Sequence, residues 1–402
     1  MTGEGERQGG RGRGVEAGRS WQGGRGRCEW QMRMAADART NDCPNSAKRP
    51  CGRFIDDKNY KTLTIMKKTD LDWNNLGFGY HPTHYNLRCY YRNGKWGEIE
   101  KHTDENFNIH MAATALHYGQ EAFEGLKAFA CEDGKVRIFR PEANAERMAR
   151  TAEYILMEPP PVELFIEMVK EVVKLNMDFV PSYESGGSLY IRPLLIGTGP
   201  QVGVKPAKEY LLLMFVTPVG SYYSGGMEGI ATIIDRKHDR AAPCGTGHVK
   251  VGGNYAASLK SAKEGEKMGY SSVMYLDPKE HKYIDECGAA NFFGIRENEY
   301  VTPSSNSVLP SITNMSIRQI AADMGMTVEC RDIPLAELET FTEAGSCGTA
   351  AVITPIASIY DPETERTYRF GWVGPWTQKL YDRYRAIQLG KVPDPYGWVT
   401  VI

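Results

Sequence analysis

Lys250 stands between Val249 and Val251 in the stretch GTGHVKVGGNY, residues 245–255, with Gly252 and Gly253 immediately after it and Tyr255 beyond. If this stretch is extended, Lys250 points to the face opposite the two valines. The pattern predicts a strand that ends in a lysine and is followed by a helix from about Ala256 to Met268. A lysine crowded by glycines loses water, and desolvation disfavours its ammonium form. Such an amine can add to a carbonyl compound and form an imine near neutral pH. The glycines leave room for a flat ring against the backbone.

Other residues extend this chemistry. Glu286 closes the strand-like YIDE and meets the small cluster Cys287-Gly288-Ala289-Ala290. A carboxylate there could keep a pyridine nitrogen protonated, so that the ring accepts electrons. Ser311-Ile312-Thr313 opens a helix after Leu309-Pro310. Helix starts offer free N–H groups and a positive dipole end to a phosphate. Cys347-Gly348-Thr349-Ala350 is a second small-residue turn with free amides. Arg150 lies in a helix expected over 143–157, two positions from the apolar Met148, and is a candidate bidentate phosphate ligand. Arg192 sits in the apolar strand Leu189-Tyr190-Ile191-Arg192-Pro193, where a buried charge requires a partner such as an anionic substrate. Each residue alone also suits a plainer role: surface lysine, strand-end glutamate, N-cap or solvated arginine. Together they fit a pyridoxal-type cofactor.

Strands are expected at 85–91, 136–139, 189–196, 210–217, 230–235, 272–277, 283–286 and 292–296, with helices at 143–157, about 164–173 and about 313–324. Short strands mixed with helices in both halves indicate an α+β, or mixed α/β, chain. No GxGxxG follows an early strand, which argues against a doubly wound dinucleotide fold. The division expected is a small α/β domain over 66–219, a Gly- and aromatic-rich connection at 220–229 (within PVGSYYSGGMEG) and a large cofactor-binding domain over 230–402.

Residues 1–65 differ in kind. GGRGRG at 9–14 and GGRGR at 23–27 mark a Gly/Arg-rich extension that cannot bury enough apolar surface to order itself. Arginine-rich tails of this type can bind single-stranded nucleic acid, but Glu4, Glu6, Glu16 and Glu29 interrupt the basic charge. Met66, opening MKKTDLDW, reads as a plausible natural start. The net charge of −2 gives no general attraction to nucleic acid or anionic membrane. No apolar run approaches the ~20 residues of a membrane-spanning helix. The nine cysteines form no CxxC pair, which points to a reducing compartment and a cytoplasmic setting, and the histidines show no metal-binding spacing.

The segments LHYGQEAFEGLKAF (116–129), RIFRPEANAERMAR (137–150), SLYIRPLLIGTG (188–199), TPVGSYY (217–223), VKVGGNYAASL (249–259), YIDECGAANFF (283–293) and LPSITNMSIRQIA (309–321) run in the order found in branched-chain amino-acid aminotransferases. Over roughly residues 70–402 the chain resembles that family of pyridoxal 5'-phosphate enzymes, with the D-amino-acid-aminotransferase-like fold (fold type IV). The resemblance implies two domains and transfer of an amino group between leucine, isoleucine or valine and 2-oxoglutarate.

It implies that Lys250 binds the cofactor covalently and carries the proton, that Tyr255 holds the cofactor's phenolate oxygen, and that Glu286 pairs with the pyridinium. Arg150, the amides of Ile312 and Thr313 and the hydroxyl of Thr349 would take the phosphate. Phe123, Tyr190 and Tyr222 would wall the side-chain pocket, with Arg192 at its edge for the γ-carboxylate of glutamate. Thr349 and Ala350 would bind the α-carboxylate. Tyr118, Val202 and Val204 would enter the neighbouring subunit's site, which implies a homodimer. The redox CxxC of some animal members is absent, since the turn reads Thr349-Ala350-Ala351-Val352. D-amino-acid transaminases and aminodeoxychorismate lyases share the lysine, the glutamate and the phosphate cup. The YIRP arginine and the EGLKAF segment favour the branched-chain assignment.

Overall fold

Among the described residues two nine-stranded sheets form, largely from opposite halves of the chain, with one C-terminal strand returning to the first. The computed structural model describes residues 71–402 apart from residues 74, 221 and 223–225. The Gly/Arg-rich extension at 1–65 lies outside the described residues.

The first sheet contains β1 (Asn86–Arg92), β2 (Lys95–Trp96), β3 (Glu100–His102), β4 (Glu121–Phe123), β5 (Leu126–Ala130), β6 (Val136–Phe139), β7 (Ser188–Gly197), β8 (Tyr210–Val219) and the C-terminal β18 (Val399–Val401). Its order is β18-β6-β5-β7-β8-β1-β2, with β3 on β1 and β4 on β7, and every pairing is antiparallel. Strands β7 and β8 are buried along most of their length because α2 (Pro141–Tyr154) and α3 (Val162–Leu175) cover one face. On α3, Phe165, Met168, Val169, Val172 and Val173 recur at helical spacing and are fully buried against that sheet. Helix α1 (Thr114–Tyr118) is a single short turn before β4.

The second sheet contains β9 (Ile230–Ile234), β10 (Ser272–Leu276), β11 (Ile284–Cys287), β12 (Ala290–Arg296), β13 (Glu299–Pro303), β14 (Thr327–Arg331), β15 (Glu343–Gly348), β16 (Val352–Asp361) and β17 (Arg366–Arg369). Here pairings are mixed. Strands β9 and β10 are parallel and joined through α4 (Gly252–Lys267); β13 and β14 are parallel and joined through α5 (Ile312–Asp323). Strands β9 and β13 run in opposite directions in this sheet, so it is the long segment 235–251, and not a shared strand edge, that brings the start of α4 to the same cavity as the start of α5. Helix α6 (Pro375–Gln388) packs Leu380, Tyr384 and Ile387 beside α5 and the second sheet, together with Phe139 of β6.

Three expectations are corrected. Lys250 is in no strand; it lies in the irregular segment just before α4, which begins at Gly252 rather than near residue 256. The alternation still holds, because Val249 and Val251 are buried. Its backbone is pinned by single bonds instead of a ladder: the Phe123 amide donates to the Lys250 carbonyl at 3.1 Å, and the Lys250 amide donates to Thr151 Oγ1 at 3.1 Å. The stretch 230–402 does not lie wholly with the second sheet, since β18 pairs with β6. That return is a long-range pairing with no local signal. The fold is mixed α+β, as expected from the alternation of short strands and helices.

Candidate active site

A cavity of 570 Å³ opens between the two sheets, where the starts of α4 and α5 meet strands β4, β7 and β8. Lys250, Tyr255, Glu286, Thr349 and Ala350 all line it. Lys250 Nζ donates to Tyr255 Oη at 2.7 Å. Tyr255 is in the first turn of α4, five residues on, so the irregular Lys250 segment and the helix start bring the two together. The Phe123 ring meets Tyr255 edge-on at 4.9 Å and lies 4.6 Å from Lys250 Nζ.

Glu286 occupies the cavity wall on β11 and is 3% exposed. Its Oε1 accepts from the Leu309 amide at 2.7 Å and from Asn291 Nδ2 at 3.1 Å. Arg240 forms a buried ion pair with its other oxygen, Nε to Oε2 at 3.1 Å, and donates from Nη2 to the carbonyls of Gly247 and Ser307. Burial pushes the Glu286 carboxyl up to about 7, against the pull of Arg240.

The structure corrects one arginine. Arg150 is on the outer face of α2, more than half exposed, 4.0 Å from Glu146. At about 100° per residue, a position two beyond the buried Met148 lies almost diametrically opposite it. Arg147, three residues earlier, is on the buried face with Asn144, Met148 and Thr151, and it lines the cavity. Its guanidinium meets both oxygens of Glu124, at 2.7 and 2.8 Å, and donates to the Pro310 carbonyl at 2.9 Å. Glu124 has no exposure and accepts a further bond from Asn144 Nδ2 at 2.7 Å. Burial raises its carboxyl, but Arg147, with Lys250 and Asn144 adding, holds it below the usual carboxylate range.

Ser311 caps α5 by accepting from the Asn314 amide at 3.3 Å. Ile312 and Thr313 are the first two helical residues, whose amides have no partner within a helix. Their side chains line a small adjoining cavity that shares Gly125 and Thr349 with the main one. Thr349, Ala350 and Ala351 form the turn between β15 and β16. Lys127 Nζ donates to the Ala350 carbonyl at 3.1 Å from outside the main cavity, and burial beside Arg385 pulls that lysine down to about 7.

Tyr190, Arg192 and Leu194 alternate along β7 on the cavity face, opposite Phe123 and Phe215. Arg192 lies 4.9 Å from the Phe123 ring and 5.2 Å from that of Tyr190, and donates to Tyr190 Oη at 3.2 Å. Its Nε is buried with no hydrogen-bond partner. Tyr222 lines the cavity and meets Phe78 edge-on at 5.2 Å. Tyr118, Val202 and Val204 do not line it; they are exposed, and Tyr118 donates to the Val202 carbonyl. Sequence reasoning missed Phe78, Glu124, Lys127, Arg147, Arg240 and Asn291. Arg147 was recoverable from the helical phase of α2, whereas the others depend on contacts distant in the chain.

The model of the family described as amino-transferase class IV matches residues 121–359. A branched-chain-amino-acid aminotransferase of Haemophilus influenzae is 49% identical over 348 residues, covering 83% of this chain and 99% of its own. The crystal structure of the Escherichia coli branched-chain amino acid aminotransferase superposes with a TM-score of 0.66 at 25% identity, covering 79% of this chain and 98% of its own. The branched-chain amino acid aminotransferase from T.th., solved in complex with N-(5'-phosphopyridoxyl)-L-glutamate, gives a TM-score of 0.64 at 27% identity, over 79% of this chain and 98% of its own.

The raised Glu286 carboxyl has a measurable consequence. In the protein stripped of small molecules, the folded state keeps the Glu286 proton up to about pH 7, while the unfolded chain releases it near the ordinary value of 4.5. The folded state then binds more protons than the unfolded state across that window, so stability falls as pH rises, by up to about 3 kcal/mol. Chemical denaturation across the window should show this slope and show it flattened in Glu286→Gln. Equal slopes in the two proteins would refute it.

Proposed function

The chain belongs to the class IV amino-transferase family, and from that premise we propose that it is a pyridoxal 5'-phosphate-dependent branched-chain amino-acid aminotransferase. The reaction is reversible transfer of the amino group between L-leucine, L-isoleucine or L-valine and 2-oxoglutarate, giving branched-chain 2-oxo acids and L-glutamate. The observation that carries this reading is a single cavity that receives Lys250 bonded to Tyr255, the buried Glu286 and the buried Arg147. Identity of 49% across nearly the whole of a branched-chain relative supports the substrate class.

The residues present fit the cofactor. A buried carboxylate with one oxygen ion-paired to Arg240 suits a ring nitrogen that must stay protonated. The guanidinium of Arg147, the free amides at the start of α5 and the Thr349 hydroxyl suit its phosphate, and the Tyr255 hydroxyl suits its phenolate oxygen. When bound, the cofactor supplies a conjugated ring that withdraws electrons from the substrate's Cα. Lys250 Nζ, held by Tyr255, then serves as the base that moves the Cα proton. The turn at Thr349 and Ala350 offers amides to the α-carboxylate, and Lys127 braces that turn from behind. Phe78, Phe123, Tyr190 and Tyr222 exclude water from the side-chain pocket and favour aliphatic chains by burial. Arg192, with a buried Nε still without a partner, serves the γ-carboxylate of glutamate.

A homodimer acting in the cytoplasm completes the proposal. The exposed Val202 and Val204, at 84% each, and Tyr118 beside them support a subunit contact. Among the described residues the cysteines are unpaired and no helix is long and apolar enough to cross a membrane.

Three outcomes test the reading. The cofactor-loaded protein should show a visible absorption band that L-leucine converts to a near-ultraviolet one, and Lys250→Ala should fail to turn over; a protein that stays colourless with pyridoxal phosphate sinks the proposal. Arg147→Ala should weaken cofactor affinity at least about tenfold, the scale of one lost charge-assisted contact, while Arg150→Ala stays within about twofold. Similar losses in both would restore Arg150. Arg192→Ala should raise the KM for 2-oxoglutarate by about tenfold or more, the scale of a lost hydrogen bond to a charged group, and that for leucine far less; equal rises would remove Arg192 from this role.

A further inference from the structure

Glu121 is a carboxylate in the cavity wall with no assigned task. It and Phe123 are the two outer residues of β4, on the same side of the strand, with Ala122 buried between them. Phe123 is in register with Leu194 and Glu121 with Ile196, so the wall runs from Arg192 through Leu194 to Glu121 along adjacent strands. Same-side neighbours on a strand stand about 7 Å apart. Glu121 is thus one step beyond the Phe123 ring that Arg192 and Lys250 both approach.

The carboxyl group rests on Gly252, the first residue of α4, two residues after Lys250. A side chain at Gly252 would collide with it. The group nonetheless makes no cap: α4 has no side-chain cap hydrogen bond at its start. No described residue forms a salt bridge or a side-chain hydrogen bond with Glu121. Burial pushes its carboxyl up. Arg147 and Arg240 are each committed to another carboxylate, Glu124 and Glu286.

We propose that Glu121 is a specificity-determining residue that sorts substrates by the charge at the distal end of the side chain, against carboxylates and in favour of cations, with aliphatic chains between. It is the counterweight to Arg192 in the same wall. The proposal rests on the branched-chain aminotransferase reading, for which a site that must accept both leucine and glutamate needs opposing charges to keep the dicarboxylate from dominating. At an effective dielectric near 20, a like charge about 12 Å away changes affinity by about tenfold, and a nearer one by more.

Three carboxylates of nearly one shape isolate this effect: succinate, 4-methylvalerate and 3-(dimethylammonio)propanoate, whose far ends carry a negative, no and a positive charge. None has an amine able to react with the cofactor. Their binding to the cofactor-loaded enzyme is read from the shift of its absorption band, in the unmodified protein and in Glu121→Gln. Glu121→Gln should tighten succinate about tenfold, weaken the cation by a similar factor and move 4-methylvalerate less than twofold. A common shift of all three would make Glu121 a structural support for α4, and no shift of any would leave it inert; either overturns the proposal. Glu121→Asp, which keeps the charge, should preserve the ordering of the three ligands. If the unmodified enzyme ignored 4-methylvalerate while Glu121→Gln still separated the two charged ligands, the branched-chain reading would fall and the role of Glu121 would stand. Failure of the unmodified enzyme to bind any of the three would overturn both.

Discussion

The pair between Glu124 and Arg147 fixes the joint on which the cavity depends. Glu124 is wholly buried on the segment between β4 and β5, and Arg147 reaches it from α2 with two bonds. The remaining guanidinium nitrogen reaches Pro310, the residue that precedes the cap of α5. One buried ion pair therefore ties the first sheet, its covering helix and the start of a second-sheet helix to a common point. A buried pair adds little net stability, but removing one partner costs about 3–5 kcal/mol, because the other charge is left stranded. The geometry between the sheets is consequently specified more sharply than apolar packing alone would specify it.

Two buried carboxylates flank the cavity and are driven in opposite directions. Glu124 is held below the ordinary range by a guanidinium that meets both its oxygens. Glu286 is pushed up to about 7, because one Nε and two neutral donors do not offset its loss of water. Environments that separate like groups in this way separate their roles. Glu124 remains a fixed counter-ion for Arg147. Glu286 is left short of positive charge, the condition under which it best stabilises a protonated ring nitrogen.

Much of this was legible in the sequence, and the failures have definite causes. The alternation around Lys250 correctly turned it away from the two valines, because burial of Val249 and Val251 does not require a sheet. The strand itself was misread: single bonds to Phe123 and Thr151 replace the ladder, and these are contacts distant in sequence. Arg150 alone is named in the sequence reading, although the phase of α2 places Arg147, and not Arg150, beside Asn144 and Thr151. Here the information was local and the period was misapplied. Arg240 and Phe78 gave no local signal at all, since each acquires meaning only through the residues it meets: Glu286 for the first, Tyr190 and Tyr222 for the second. The return of β18 to β6 is of the same kind.

The turn at Thr349–Ala351 shows how local conformation and long-range packing combine. Gly348 and Val352 are in register across β15 and β16, so three residues make the reversal. A hairpin loop of that length normally needs a left-handed residue, most readily glycine. Val352 takes that conformation here, with φ of 60°. For a β-branched side chain this costs about 1–3 kcal/mol and persists only where the surroundings over-determine it. They do so on two sides: Val352 packs against the cluster of Phe139, Ile353 and Tyr384, and Lys127 holds the Ala350 carbonyl. Glycine at 352 would relieve the strain but remove the side chain that anchors the turn. The strained valine therefore trades some stability for a fixed turn at Thr349, Ala350 and Ala351, all three of which line the cavity.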